Sequence, residues 1–430
     1  MKSLRKLASG NTPEERATRR IVMALSISAF AEWGGASAVL PLLPVYLRHK
    51  GSSVALIGVT MAAFFAAAVV VQYPLGRLSD RVGRRTIQIA GLITYAVGSV
   101  LFAFISVPLA ALAFRALQGA GTGIVDVANS ATIGEVVPEH QRGRAYGALY
   151  GTRTVGMAIG PFLGGLLGIG GMRWLFLAAA AAVLIATVPI MMFTPRFGGH
   201  EPLRASERTP LWRNRSVLGV AVAFLAGGVV VGMYEVCWSL LLTSRGAHPW
   251  ELGLSWTLFA IPFAIMSVPA GWLVDHMDRR YLIAVALFGA AFFAALYPFI
   301  DSVAWLIGLG GAEAAAVALG GPAQSSQLAH SVSARELGRA QGAVSSAQTG
   351  AMAVAATIAG VLFGVHIWLP FVLASGAVLV CAGVCGLLFR GVPGRATGGL
   401  AVGSGLAMSP VPAPGIAPIS SGGNALERAG

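Results

Sequence analysis

The chain has 430 residues, 56% hydrophobic and only 11% charged, with a formal net charge of +13. A soluble domain carries roughly twice that charge fraction, so a water-soluble globular protein is excluded. The basic residues are spread along the chain rather than gathered with aromatics on one soluble face, which excludes a nucleic-acid binder. The three cysteines, Cys237, Cys381 and Cys385, all fall within apolar runs; the last two, four residues apart, suit packing rather than a disulfide or a metal.

Residues 1–20 form a basic arm without an apolar core and small-residue cleavage site, so no cleaved leader is expected. Twelve apolar runs follow, at 21–47, 54–76, 86–106, 108–132, 145–168, 173–193, 217–243, 252–274, 281–300, 303–327, 340–364 and 368–390. About 20 residues at 1.5 Å each cross a hydrocarbon core about 30 Å thick. Backbone groups there must be satisfied internally, and without strict alternation the choice is helices rather than a barrel. The expectation is an all-α membrane protein of twelve transmembrane helices in two six-helix lobes. Its parts are the arm 1–20, an N-terminal lobe 21–193, a polar linker 194–216 with five arginines, a C-terminal lobe 217–390 and a tail 391–430. That tail is rich in Gly, Pro and Ser, a composition that cannot support a packed core.

With the N-terminus inside, 24 of the 30 Lys and Arg fall in cytoplasmic segments. Four fall in outer loops (Arg48, Lys50, Arg173, Arg245), and Arg115 and Arg153 lie within spans. This asymmetry is the positive-inside pattern and places both termini in the cytoplasm.

Ionisable residues within spans are costly and default to functional candidates. They are Glu32 in the first run, Arg115 and Asp126 in the fourth, Arg153 in the fifth, Glu235 in the seventh and Glu313 in the tenth. Asp126 and Arg153 stand equally far from the midpoint of their hairpin, at similar depth, and can pair. Glu32, followed by Trp33, can carry a proton or bind a cationic group. Glu235 sits between Tyr234 and Trp238, a setting for an aromatic cation. Glu313, in a Gly- and Ala-rich segment, is a further carrier candidate. His330 and His366 fall near helix ends and read as interfacial.

A charged decapeptide, Gly76 to Arg85, returns at an offset of 195 as Gly271 to Arg280, with His276 for Arg81 and Asp278 for Gly83. Gly143-Arg144-Ala145 matches Gly338-Arg339-Ala340, and Gly165 matches Gly360, at the same offset. Both halves start inside, so the repeat is parallel, about an axis along the membrane normal. Gly156, Gly160 and Gly164 recur every four residues, which lets two helices approach closely, and Pro161 removes a donor and bends its helix.

On these residues the chain resembles the major facilitator superfamily. Gly76, Asp80, Arg81, Gly83, Arg84 and Arg85 match its loop signature. Arg115-Ala-Leu-Gln118-Gly119-Ala-Gly121 looks like its fourth-helix motif. Gly151, Gly156, Gly160, Pro161, Gly164 and Gly165 resemble the fifth-helix motif of proton-coupled exporters.

The resemblance implies a transporter rather than an enzyme, with Asp80, Arg81, Glu135 and Arg142 as a cytoplasmic latch and Arg115 in proton transfer. Arg81 is expected to pair with Glu135 or to compete with Arg142 for it. The expected activity is proton-coupled efflux of a small amphipathic molecule from a cell (inner or plasma) membrane, by a monomer. The energy comes from the proton gradient; no cofactor, metal or nucleic acid is implied. The alternatives are a proton-coupled metabolite importer, with Arg115 and Arg153 as anion ligands, and a non-transporting membrane sensor.

Overall fold

The computed structural model describes residues 13–194 and 211–392. Residues 1–12, 195–210 and 393–430, which hold most of the arm and tail and part of the linker, lie outside the described residues, and so do the surroundings of Gly76 and the side chains of Asp80 and Arg81. The described residues are predominantly helical and include no strand.

Twelve helical units alternate in direction. The first six are α1 (Pro13–Val39, then Leu43–His49), α2 (Val54–Val82), α3 (Arg84–Ala103), α4 (Ala110–Val136), α5 (Glu139–Leu167) and α6 (Met172–Phe193). The second six are α7 (Arg215–Ser244), α8 (Pro249–His276), α9 (Arg279–Leu296), α10 (Val303–Val317, then Gly320–Ser331), α11 (Ala334–Val365) and α12 (Leu369–Leu388). Each expected run falls on one unit. Helix α1 starts eight residues early and takes in part of the expected arm. It breaks at Leu40–Leu42, beside Pro41 and Pro44, which lack the amide hydrogen a continuous helix needs. Helix α8 carries Pro262 and Pro269 and bends by 44° between Pro249–Met266 and Pro269–His276.

Among the described residues nine helices are apolar enough to cross a membrane alone, ten with the bent α8. The two that fall short, α4 and α5, carry Arg115, Asp126 and Arg153.

Packing repeats between the halves. Helix α1 packs on α5 and α6, α2 on α4, and α3 on α4 and α6; in the same pattern α7 packs on α11 and α12, α8 on α10, and α9 on α10 and α12. Small residues bring the backbones together: a Cβ on Gly119 would overlap the carbonyl of Phe64, and one on Gly164 that of Ala38. Gly156, Gly160 and Gly164 thus fit α5 against α1.

The lobes meet through α2 with α11 and α5 with α8. We call the end bearing the two repeated loops the motif end. At the opposite, far end a Cβ on Gly58 would stand 2.8 Å from Gly360 Cα, and one on Gly253 2.9 Å from Gly165 Cα. The repeat offset carries Gly58 onto Gly253 and Gly165 onto Gly360, so these are two copies of one contact. Thr257 Oγ1 adds a hydrogen bond to the Ala158 carbonyl, 2.8 Å, across the second. On the motif-end halves of the same helices, Cβ positions at Gly147, Gly151, Gly271, Gly338, Gly342 and Gly350 have nothing within 4 Å.

The apolar core follows suit. One cluster at the far end draws on both lobes, from Leu42, Leu47 and Met61 to Trp238, Leu241 and Phe371. Toward the motif end the cores are separate, one around Leu25, Leu92 and Val183 and the other around Val220, Ile283 and Val378. Among the described residues the lobes are joined at the far end and parted at the motif end.

Candidate functional site

The close approach of α1 to α5 sets up the main polar site. Ser37 Oγ donates to the Gly156 carbonyl at 3.1 Å, and a Cβ on Gly34 would lie 3.7 Å from Gly156 Cα. One turn away, the Arg153 guanidinium lies over the Trp33 ring, 3.5 Å from its centroid. Arg153 Nη1 also reaches Asp126 Oδ1 on α4 at 3.5 Å, with side chains 27% and 35% exposed. Glu32, one residue before Trp33, is 1% exposed, and neither of its oxygens has a hydrogen-bond partner. It lies within electrostatic reach of both Asp126 and Arg153, with Thr122 beside it. The site therefore holds two carboxyls and one guanidinium.

Arg115 is buried further toward the far end. Its Nη1 donates to Gln118 Oε1 at 3.1 Å, its guanidinium lies 4.3 Å from the Phe64 ring centroid, and Gln118 Nε2 donates to Ser99 Oγ at 3.0 Å. Glu235 on α7 is also buried, its Oε2 unpartnered, and it interacts with Arg115 across the lobe boundary.

The aromatic setting expected for Glu235 belongs to Glu313 instead. Tyr234 Oη donates to Glu313 Oε1 at 2.9 Å and Tyr297 Oη to Oε2 at 2.7 Å. Successive side chains on a helix point about 100° apart, so Tyr234 faces α10 while Glu235 faces α4. Trp238 packs edge-on against Tyr297, 4.9 Å between centroids, and donates to Ser255 Oγ at 3.0 Å. The repeat offset carries Gln118 onto Glu313, Phe102 onto Tyr297 and Phe176 onto Phe371. The N-terminal lobe has a stacked Phe102–Phe176 pair, 4.7 Å apart, where the other lobe has a tyrosine to serve its acid.

At the motif end, Glu135 Oε2 accepts from Arg84 Nε at 3.3 Å, and Arg84 Nη1 donates to Ser79 Oγ at 3.0 Å. Arg142 is hydrogen-bonded elsewhere in this conformation. It donates to the carbonyls of Gly134 at 2.7 Å and Val137 at 3.1 Å, covering acceptors left open where α4 ends. The expected Asp80 and Arg81 contacts lie outside the described residues; Arg85 is half-buried.

Gly83 joins α2 to α3 at φ 97°, a conformation that disfavours a side chain. Its counterpart Asp278 sits at φ −69°, and its carboxylate caps α9 through Arg280 N. The second loop thus follows a different backbone course, which is why glycine is dispensable there. The offset carries the Arg84–Glu135 pair onto Arg279–His330, also 3.3 Å apart, so His330 is a partner of a buried arginine rather than a bare interfacial residue. His366 stacks on Trp368 at a helix end.

Among the described residues no group of His, Cys, Asp and Glu is arranged to hold a metal. The cysteines are free, and Cys385 Sγ lies against the Gly219 carbonyl, a packing contact.

A family model described as Major Facilitator Superfamily matches residues 25–244 and 236–412. The tetracycline resistance protein, class E, of Escherichia coli is 27% identical over 290 residues, 63% of this chain and 69% of that protein. The quinolone resistance protein NorA of Staphylococcus aureus is 28% identical over 167 residues, 39% of this chain and 43% of that one. The latter match spans less than half of the relative. Among solved structures, a bacterial homolog to the human lysosomal transporter Spinster, inward-facing and occupied, superposes with a TM-score of 0.71 at 16% identity, covering 89% of this chain and 98% of that one. The nucleoside transporter NupG gives 0.69 at 13%, covering 86% and 99%. At such identities the structural likeness is one of fold.

Proposed function

Since the chain belongs to the major facilitator superfamily, and is thus a membrane transporter and not an enzyme, we propose that it exports a small amphipathic molecule in exchange for protons. In this reading it sits as a monomer in the cell membrane with both termini in the cytoplasm. The positive-inside asymmetry supports the orientation. The motif end is then cytoplasmic, and the parted lobes form a cavity open to the cytoplasm, ready to load cargo for export. The resistance proteins among its relatives support efflux.

The observation that carries the reading is Glu32, buried without a hydrogen-bond partner beside the Asp126–Arg153 pair. Two carboxyls share one guanidinium, so the site lacks one positive charge. A proton can supply it, or a cationic group on the cargo, and the two compete. Opening the far end brings a proton from outside; opening the motif end releases it as cargo binds. Arg115 and Glu235 approach while the far end is shut and part when it opens, so their interaction couples the site to lobe rocking. Arg84 and Glu135, with Arg142, Asp80 and Arg81, make up the cytoplasmic gate, whose N-terminal half is the stricter. Glu313 is a second acid on the route.

The test uses the full-length protein in liposomes holding a pH gradient, with tetracycline, a quinolone and a panel of amphipathic compounds added. At least one compound is expected to dissipate the gradient, and Glu32→Gln to abolish that effect. A gradient untouched by every compound, or a Glu32→Gln variant identical to the parent, would sink proton-coupled export. Accumulation along the inward gradient would instead mark an importer.

A further inference from the structure

We propose that Trp33 and Asp126 form a binding site for a flat organic cation, and that Arg153 is the internal ligand occupying it when cargo is absent. The inference rests on the transport reading above and names the cargo class of the same site.

Arg153 makes the two contacts that such a ligand would make. Its planar guanidinium covers the Trp33 ring at 3.5 Å from the centroid, the geometry of a cation–π contact, and it faces the Asp126 carboxylate at 3.5 Å. Both contacts are replaceable. The ion pair is long and its side chains remain about a third exposed, the regime in which such pairs contribute little. Arg153 reaches both partners on a long side chain from the interior of α5, so it can leave them by side-chain rotation without moving the helix.

Two further observations point to a cation. Glu32 is buried, without a hydrogen-bond partner and within electrostatic reach of this pair, so whenever Glu32 is ionised the surroundings are short of positive charge even with Arg153 in place. And the approach is aromatic. Tyr146, Tyr150 and Arg153 fall four and three residues apart, on one face of α5. The two tyrosine rings stack 6.2 Å apart at 19°, and Tyr150 is 50% exposed. A flat ring can pass along them from the motif end and end on Trp33. Displacing a resident arginine also sets a selectivity filter: a neutral planar molecule can cover the indole but cannot replace the charge facing Asp126.

The experiment is equilibrium binding of ethidium to the full chain in lipid nanodiscs, read by fluorescence anisotropy at alkaline pH with no gradient. Arg153→Ala removes the competitor and is expected to tighten binding roughly tenfold. Trp33→Leu and Asp126→Asn are expected to weaken it by a similar factor, including when combined with Arg153→Ala. If Arg153→Ala does not yield folded protein, Arg153→Gln keeps the length, removes the charge and carries the same expectation. Unchanged or weaker ethidium binding in the arginine variants overturns the proposal. So does binding of the anionic dye fluorescein that is lost on Arg153→Ala, which would make Arg153 an anion ligand. Because no gradient is present, this outcome is independent of proton coupling, and the liposome assay can fail without deciding it.

Discussion

Gly58→Leu combined with Gly253→Leu is expected to lower transport more than tenfold while both lobes stay folded. The two glycines are counterparts across the repeat, and each closes the far end by backbone contact with the other lobe. A Cβ at either would press on the Cα of Gly360 or Gly165 at 2.8–2.9 Å. Backbone cannot rotate away as a side chain can, so the lobes must separate. Forcing extra groups into close packing costs about 1–3 kcal/mol per site, and distant sites add, which shifts a two-state balance by a factor of ten or more. Cys237 offers a native reporter: it is fully buried in the shared far-end core. Its maleimide labelling, followed by peptide mass spectrometry, should rise in the double variant and stay low in Gly376→Leu, where nothing lies within 4 Å. Labelling unchanged in the double variant would show that the glycines do not hold the far end shut.

Glu313→Ala is expected to cause the largest loss of stability among the intramembrane acids, about 3 kcal/mol or more. The substitution leaves the hydroxyls of Tyr234 and Tyr297 without the carboxylate they serve, at about 1–3 kcal/mol for each buried donor stranded, and adds a cavity. Glu313→Gln keeps the volume and one acceptor and should lose about 1 kcal/mol. Thermal unfolding in detergent, followed by intrinsic fluorescence, ranks the three proteins. Equal melting of all three would remove the tyrosine network from the account of this lobe.

Much of the architecture was legible because membrane helices announce themselves by length and hydropathy. All twelve units fell on expected runs, and the 195-residue offset exposed the two lobes. The break in α1 had a signal in Pro41 and Pro44, whereas the break in α10 was not legible, since a local interruption without proline leaves the hydropathy of a run unchanged. The Asp126–Arg153 pair followed from counting outward from a hairpin turn. The tyrosine partners of Glu313 did not follow, since Tyr234 lies on α7, Tyr297 just after α9 and Glu313 on α10. Nor did Arg84 as a partner of Glu135, an approach that depends on the angle at which α3 leaves Gly83. A signal for some of the missed residues was nonetheless present. The offset that links Gly165 with Gly360 also links Gly58 with Gly253, and the same arithmetic pairs Gln118 with Glu313 and Glu135 with His330.

The low hydropathy of α4 and α5 bears on how the protein is made. Neither helix partitions into lipid well alone, because each carries charge in its middle. Helix α4 packs on α2 and α3, and α5 on α1, so each reluctant segment follows its support in the order of synthesis. The ribosome thus delivers the apolar helices first, as a scaffold inside the bilayer, and the charged hairpin enters against protein with Asp126 and Arg153 cancelling each other. Swapping the two halves of the N-terminal lobe by circular permutation would preserve every final contact yet present the charged helices to bare lipid.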